Sequence, residues 1–397
     1  MHSPRARPIT LSQNRGWRFV TLCALYFAQG VPYGFVTIAL VAMMTERGAT
    51  PEQTGSLAAL SLLPWTFKII WGPVIDSFRM PSLGRRRPWI VFAEFMMAMT
   101  MLIVVSTTDL TSAATVAALG AVFFIHNCFA ALQDVATDAL AVDLLDDKER
   151  GRVNAFMWAL KLLGYSAGGA GLSSLIAKTD LATAMRVQAG LLLLIMLLPL
   201  LIREREVERL FPWCADTHAH LRKPQPKTGP VRVAKQLLRA FSVRATFLGL
   251  FVAFVALIGE GLAIPVNAEV FIKRIGWSAE EYSQVRGTLG SIGQIIGAIG
   301  GGLLCDRFGP KLIAGCGALV TAGTFLTLAL TSLWWSSESI PVGGYFLLLE
   351  CGLAMTSVSL FSLYMKISWT TAAATQFTLY MTVLDLGHAV GPMLTKL

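Results

Sequence analysis

Charge is what this chain has little of. Asp, Glu, Lys and Arg make up 14% of its 397 residues, against about 25% in soluble domains. With 54% hydrophobic residues and a mean hydropathy of +0.60, a soluble fold would leave too much apolar surface uncovered. Other absences narrow the class further. There is no array of alternating segments of about ten residues, which excludes a membrane β-barrel. No glycine loop runs into Lys-Ser or Lys-Thr, so an ATP-driven pump is not expected. No nucleophile, base and oxyanion donor can be assembled; no enzyme activity and no cofactor are expected. The six cysteines (23, 128, 214, 305, 316 and 351) are scattered and read as small apolar packers. Cys214, His218 and His220 lack a second ligand cluster, so no metal site is expected. The N-terminus is not read as a cleavable signal, because its first apolar stretch is too long and no small-residue cleavage site follows Gln29 and Pro32.

What is present is a succession of runs near the ~20 residues needed to cross a bilayer as helix. Eleven segments are expected: about 17–44, 53–75, 88–107, 114–142, 152–176, 184–202, 244–272, 282–304, 311–334, 342–366 and 373–395. The fold class is an all-α polytopic membrane protein. Of the 33 Lys and Arg, only Arg47, Lys178, Arg186, Lys273, Arg274 and Arg286 fall in the odd-to-even loops. The N-terminus is therefore expected in the cytoplasm, and the net charge of +9 reflects topology rather than a nucleic-acid partner. The polar stretch 203–243 separates an N-terminal bundle, 1–202, from a C-terminal bundle, 244–397. Its last part places Val233, Leu237, Leu238 and Phe241 near one face, as in a helix lying on an anionic leaflet, though a solvated linker helix fits as well.

Two loops look like copies of one another. Gly72, Asp76 and the later Arg85-Arg86-Arg87 follow one apolar run; Gly302, Asp306, Arg307 and Lys311 follow another. Such duplication points to two half-bundles, the common plan of secondary transporters. Transferring the Asp76-to-sixth-helix distance onto Asp306 places a matching helix beyond Leu397, so about one helix is expected to be missing.

With a basic central loop and this paired motif, the chain resembles the major facilitator superfamily. The stretch Pro64-Trp65-Thr66-Phe67-Lys68 to Asp76, then Leu83 to Trp89, is similar to the muropeptide permease and acetyl-CoA transporter branch. So are Ala130 to Leu140, with Gln133-Asp134 and Asp138, and Glu149-Arg150-Gly151. Ser77 departs from the superfamily pattern, where a basic residue is usual, and displaces the cluster to Arg85-Arg86-Arg87. The resemblance implies a two-bundle transporter fold and, at the paired loops, a cytoplasmic gate motif.

Charges deep in lipid normally face a cavity or a partner. Lys68, Asp134 and Lys161 lie at similar depth, so Asp134 neutralising one lysine would leave the other for an anionic solute; an ion-pair network locking the helices is the structural alternative. Asp138, one turn from Asp134, is expected to pair with the arginines of the first loop. Glu260 sits between Gly259 and Gly261, ahead of Pro265, and Gln29-Gly30, Pro32 and Tyr33 interrupt the first helix at comparable depth. Paired interruptions of this kind point to a central site, with Glu260 either carrying a proton or bonding freed amides. Asp385 and His388 share a face of the last helix. The glycines 164, 168, 171 and 290, 293, 297, 301 read as packing surfaces.

The expected function is alternating-access transport of a bulky polar, anionic solute, muropeptide-like or related, coupled to protons. A monomer in the plasma (inner) membrane is expected. A non-transporting receptor or scaffold, a siderophore importer and a lipid flippase remain alternatives.

Overall fold

The computed structural model describes residues 10–77, 80, 82–104, 112–145, 147–214, 244–335, 340–367 and 373–396. Within them the order is α1 (Arg15–Glu46), α2 (51–77), α3 (Arg87–Val104), α4 (Ala113–Leu144), α5 (147–178) and α6 (Leu181–Leu201). Then come α7 (244–274), α8 (Ala279–Phe308), α9 (Pro310–Trp334), α10 (Ile340–Ile367) and α11 (373–396). Among the described residues there is no strand, only the isolated bridges Thr10–Arg203 and Met80–Gly84. Eight of these helices are long and apolar enough to cross a membrane by length and composition. The other three carry interruptions or charge. α2 contains a 3-10 turn at Leu63–Phe67, α5 opens on the charged Asp147-Lys-Glu-Arg150 and carries Lys161, and α11 carries Asp385 and His388. The expected interfacial helix and the His218–His220 string lie outside the described residues, as do the side chains of Asp76 and Asp306.

Helix starts are legible in the caps. Thr50 and Gln53 form a reciprocal capping box with Pro51 at the first turn, and Ser278 and Glu281 form the equivalent one on α8. Both lie at the end opposite the basic loops, where Asp180 also accepts the Thr183 N–H at 2.6 Å. The four glycines with positive φ fall in matching turns. Gly48 (95°) and Gly276 (90°) follow α1 and α7, and Gly84 (116°) and Gly309 (87°) follow α2 and α8.

The duplication is plainest where helices touch. A Cβ on Gly30 of α1 would lie 2.1 Å from the Lys161 carbonyl oxygen of α5, and one on Gly261 of α7 would lie 2.1 Å from that of His388 in α11. Conversely, Gly164 abuts the Phe27 oxygen at 2.4 Å and Gly391 the Ile258 oxygen at 2.3 Å. Backbone thus meets backbone at both crossings, the small-residue packing expected in lipid. Gly293 and Gly297 do the same for α8 against α10. Gly171, expected to pack, has open space around its Cβ direction.

One apolar core gathers residues from Leu11 to Ile202; another, smaller, runs from Leu250 to Leu384. A third joins the halves, with Ile38, Val41, Leu62 and Tyr165 against Ile264, Phe271, Tyr282 and Phe346. Around it, polar contacts bridge the halves at the end opposite the basic loops. Lys273 donates to the Ala49 carbonyl at 2.8 Å, the Ala279 N–H to Glu46 at 3.0 Å, and Ser174 to Glu280 at 2.9 Å.

At the basic end the chain after α6 folds back as a clasp. The Leu11 and Ser12 N–H groups donate to the Arg203 and Glu204 carbonyls, each at 2.9 Å. The Glu204 carboxylate accepts the N–H groups of Arg85, Arg86 and Arg87, which lead into α3 and have no carbonyl of that helix to reach. Arg87 in turn donates to the carbonyls of Pro199, Leu200, Arg209 and Leu210. Burial, with the Glu204 charge adding to it, pushes the Glu208 carboxyl up to about 7.

Gly34→Val should lower thermal stability by about 1–3 kcal/mol, because its Cβ would lie 2.0 Å from the Tyr165 oxygen. Gly171→Ala should leave the midpoint unchanged or raise it slightly; equal loss in both would refute close approach as the reason for Gly34. For the clasp, an acid raised in the folded state contributes stability that is lost as pH rises from the ordinary glutamate range through about 7. Amide exchange at 203–210, corrected for intrinsic rate, should therefore quicken between pH 6 and pH 8, and Glu208→Gln should flatten that dependence.

Candidate functional site between the halves

Lys68 begins the second α-helical stretch of α2 just after the 3-10 turn, and its ammonium lies 3.0 Å from Asp385 of α11. The expectation left open which lysine Asp134 would meet and which would stay free for a solute. Lys68 is committed across the halves, whereas Lys161 of α5 lies 3.9 Å from Asp134 of α4. Asp385 therefore faces a lysine rather than its neighbour His388, whose Nε2 is buried without a hydrogen-bond partner among the described residues.

Asp138 also departs from expectation. It accepts the Tyr26 hydroxyl of α1, while Arg85 and Arg86 pair with Asp143, at 3.8 and 3.2 Å. One more turn of α4 brings a carboxylate within reach of the loop, and Asp138 sits too deep. Of the remaining gate residues, Gly72 packs against nothing within 4 Å of its Cβ direction and Gly302 meets only Val358. Arg307 lies over the Phe308 ring at 5.3 Å, and both Arg307 and Lys311 are exposed.

The expected break in the first helix is absent. α1 stays α-helical through Pro32 to Gly34 and loosens only afterwards, into a π-turn at Phe35–Leu40. Gly30 and Gly34 serve close packing rather than unwinding. In α7 the interruption falls at Leu257, which caps the segment carrying Gly259, Glu260, Gly261 and Pro265. Gln29, the counterpart of Glu260 one residue before the packing glycine, donates to Gln133 at 2.5 Å. Gln133 donates to Glu94 at 3.0 Å, so a buried polar line runs from α1 through α4 to α3. Tyr33 packs its ring against Tyr165, with centroids 5.6 Å apart.

The residue that sequence reasoning misplaced is Arg286. Counted there as a loop charge, it is buried two turns into α8. Its guanidinium donates to the Tyr282 hydroxyl at 2.6 Å and to the Thr37 carbonyl of α1 at 3.5 Å. It is also the positive charge that acts on Glu260, and on Glu350, whose carboxylate accepts from Gln294 at 2.7 Å. The expected segment 282–304 already contained Arg286, and the capping box at Ser278-Glu281 sets it two turns inside the helix. Cations and carboxylates from α2, α4, α5, α7, α8, α10 and α11 thus converge between the halves. Such a group can bind a charged solute, exchange a proton, and trade partners when the halves move.

Residues 22–392 match the family model described as Major Facilitator Superfamily. The anhydromuropeptide permease of Escherichia coli (strain K12) is 28% identical over 385 residues, covering 95% of this chain and 73% of that protein. An uncharacterized Haemophilus influenzae protein is 24% identical, covering 81% of this chain and 73% of its own length. Among solved structures, an inward-facing bacterial homolog of the human lysosomal transporter Spinster superposes with TM-score 0.68 at 16% identity, covering 96% and 81% of the two chains. A point mutant of the nucleoside transporter NupG gives TM-score 0.69 at 12% identity, covering 95% and 90%. With the model spanning almost the whole chain, this multi-pass membrane protein belongs to the major facilitator superfamily of transporters.

Proposed function

We propose that this protein is a proton-coupled secondary transporter of a bulky, anionic, muropeptide-like solute. The observation that carries the reading is the convergence of Lys68, Lys161, Arg286, Asp134, Glu260 and Asp385 between two half-bundles. The likeness to an anhydromuropeptide permease supports the solute class. Contacts joining the halves run from the end opposite the basic loops inward to the Lys68–Asp385 pair, which supports a state open toward the basic, cytoplasmic end. The protein acts as a monomer in the plasma (inner) membrane, with its N-terminus in the cytoplasm.

Alternating access needs interactions that differ between two states. Glu260 is the proton carrier in this scheme: a carboxylate beside Arg286 in one state and a neutral acid when the halves rearrange. Lys68–Asp385 is the tie that marks the basic-end-open state. Asp138 and Gln29 serve as positioning groups on the N-terminal side, through Tyr26 and Gln133.

Uptake of a labelled disaccharide-tripeptide into cells should collapse with a protonophore, and Glu260→Gln should abolish accumulation while sparing exchange down a gradient. Retained concentrative uptake in Glu260→Gln would remove the proton role from that residue, and binding without flux in proteoliposomes would favour a receptor. For the tie, Lys68→Met and Asp385→Asn should each lower thermal stability, and the double variant should recover about 1–2 kcal/mol of coupling. Additive effects would mean that the pair holds nothing.

A further inference from the structure

At the basic end, apolar surface does not stop where the helices do. α3 and α6 turn Phe92, Phe95, Leu194 and Leu197 outward, as faces that meet lipid chains. Leu201, the last residue of α6, is still 56% exposed, so that face runs to the end of the helix. The Arg87 guanidinium joins this level to the segment beyond. It takes the carbonyls of Pro199 and Leu200 from α6 together with those of Arg209 and Leu210. The Arg209 N–H also donates to the Ser82 carbonyl, at 2.6 Å. After Leu210 the chain makes a tight turn with Pro212 at its second position. The Cys214 N–H donates to the Phe211 carbonyl at 3.1 Å, and the Arg209 guanidinium donates to the carbonyls of Pro212 and Cys214, at 3.1 and 3.2 Å. On this turn the rings of Phe211 and Trp213 stack, with centroids 4.9 Å apart and planes 6° from parallel. Trp213 is nonetheless 80% exposed, and its indole N–H has no partner among the described residues. A hydrogen-bonded backbone thus holds a large ring outward, where water alone would penalise it. Trp334, exposed to the same extent, ends α9 at the opposite end of the molecule. The two most exposed tryptophans among the described residues therefore mark its two ends, as amphipathic rings mark the two faces of a bilayer.

We propose that the turn 211–214 is a membrane-interface anchor, with Trp213, backed by Phe211, seated in the head-group and glycerol layer of the leaflet at the basic end. The indole body would lie against the upper ends of the acyl chains, and its N–H would donate to a lipid ester or phosphate oxygen. The occupant is lipid because the patch continues the lipid-facing side of α6 at Leu201. Two rings are also far too little surface for a stable protein contact, which buries about 800 Å² on each partner. Charge is not what holds the turn there, since in 203–214 Arg203, Arg205 and Arg209 are balanced by Glu204, Glu206 and Glu208. The anchor extends the clasp from protein into lipid, fixing the start of the 203–243 segment to the first half and to the membrane at once. It does not depend on the solute or on proton coupling.

The test uses the full-length protein in phosphatidylcholine nanodiscs. Subtracting the emission of Trp213→Phe from that of the wild type isolates Trp213 from the other tryptophans. Three quenchers are compared: a lipid carrying a nitroxide close to the head group, one carrying it near the chain end, and acrylamide in the water. The difference emission should be quenched several-fold more by the shallow nitroxide than by either of the others. Trp213→Phe should leave the thermal midpoint in detergent unchanged, because the ring supports no protein core, and so controls for folding. Quenching chiefly by acrylamide would put the ring in water and overturn the anchor. Shielding from all three quenchers would mean that protein covers the ring, the other half or a second copy, and would overturn it too. Quenching chiefly by the deep nitroxide would remove the ring from the interface. Concentrative uptake judges the transport reading separately, so either can fall while the other stands.

Discussion

Everything in this molecule depends on how closely two helix backbones can approach. At α1 against α5, and again at α7 against α11, a glycine hydrogen faces a carbonyl oxygen at a distance no Cβ would permit. In lipid, apolar side chains gain nothing by leaving one apolar medium for another, so association rests on such close contact. The four contacts are paired: Gly30 with Gly261, and Gly164 with Gly391. They place Lys161 and His388 at equivalent positions, and Gln29 and Glu260 likewise. Each half therefore repeats the same two positions, filled with different chemistry. The N-terminal half offers an amide and an ammonium, and the C-terminal half a carboxylate and an imidazole.

Against that scaffold the buried charges acquire meaning. In a medium poor in water, a charge left without a partner is costly, and here partners are drawn from different helices. Arg286 is the extreme case, reaching from α8 to a carbonyl of α1 while standing near two carboxylates of its own half. The clasp at the basic end works by the same logic with backbone groups. One carboxylate, Glu204, satisfies three amides that lead into α3, and one guanidinium, Arg87, collects carbonyls from the end of α6 and the segment beyond. The start of the segment between the halves is thereby part of the first half.

The fold was legible because hydrophobic runs, caps and the paired loops are local signals. Thr50-Pro51 and Ser278-Glu281 announce helix starts, and the loop copies announce the duplication. The partners in the site were not legible, since pairing depends on which faces the glycine crossings turn toward each other. Hence the sequence leaves open which lysine meets Asp134, and gives no sign that Asp385 of the other half receives Lys68. Hence too Asp138 was assigned to arginines that a carboxylate closer to the loop, Asp143, takes instead. The interruption around Gln29–Tyr33 was misread because Gly and Pro suggest breaks, while here glycine serves approach and Pro32 is accommodated within the helix. Arg286 was overlooked because it was counted with the loop charges, although the expected segment 282–304 already contained it.

The π-turns bear on how the sequence itself should be compared with others. α1 carries one at Phe35–Leu40, α5 at Ala167–Gly171 and α7 at Glu269–Arg274. A π-turn accommodates one extra residue in a helix without adding a turn, so the helical wheel is out of phase by roughly 100° from one side to the other. Residues 41–46, 172–178 and the end of α7 thus do not continue the faces drawn by the residues before them. A single wheel projected through any of these helices assigns their far ends to the wrong neighbour. An aligned relative lacking one residue at such a turn can run as plain α-helix there and keep the residues beyond it on the same faces.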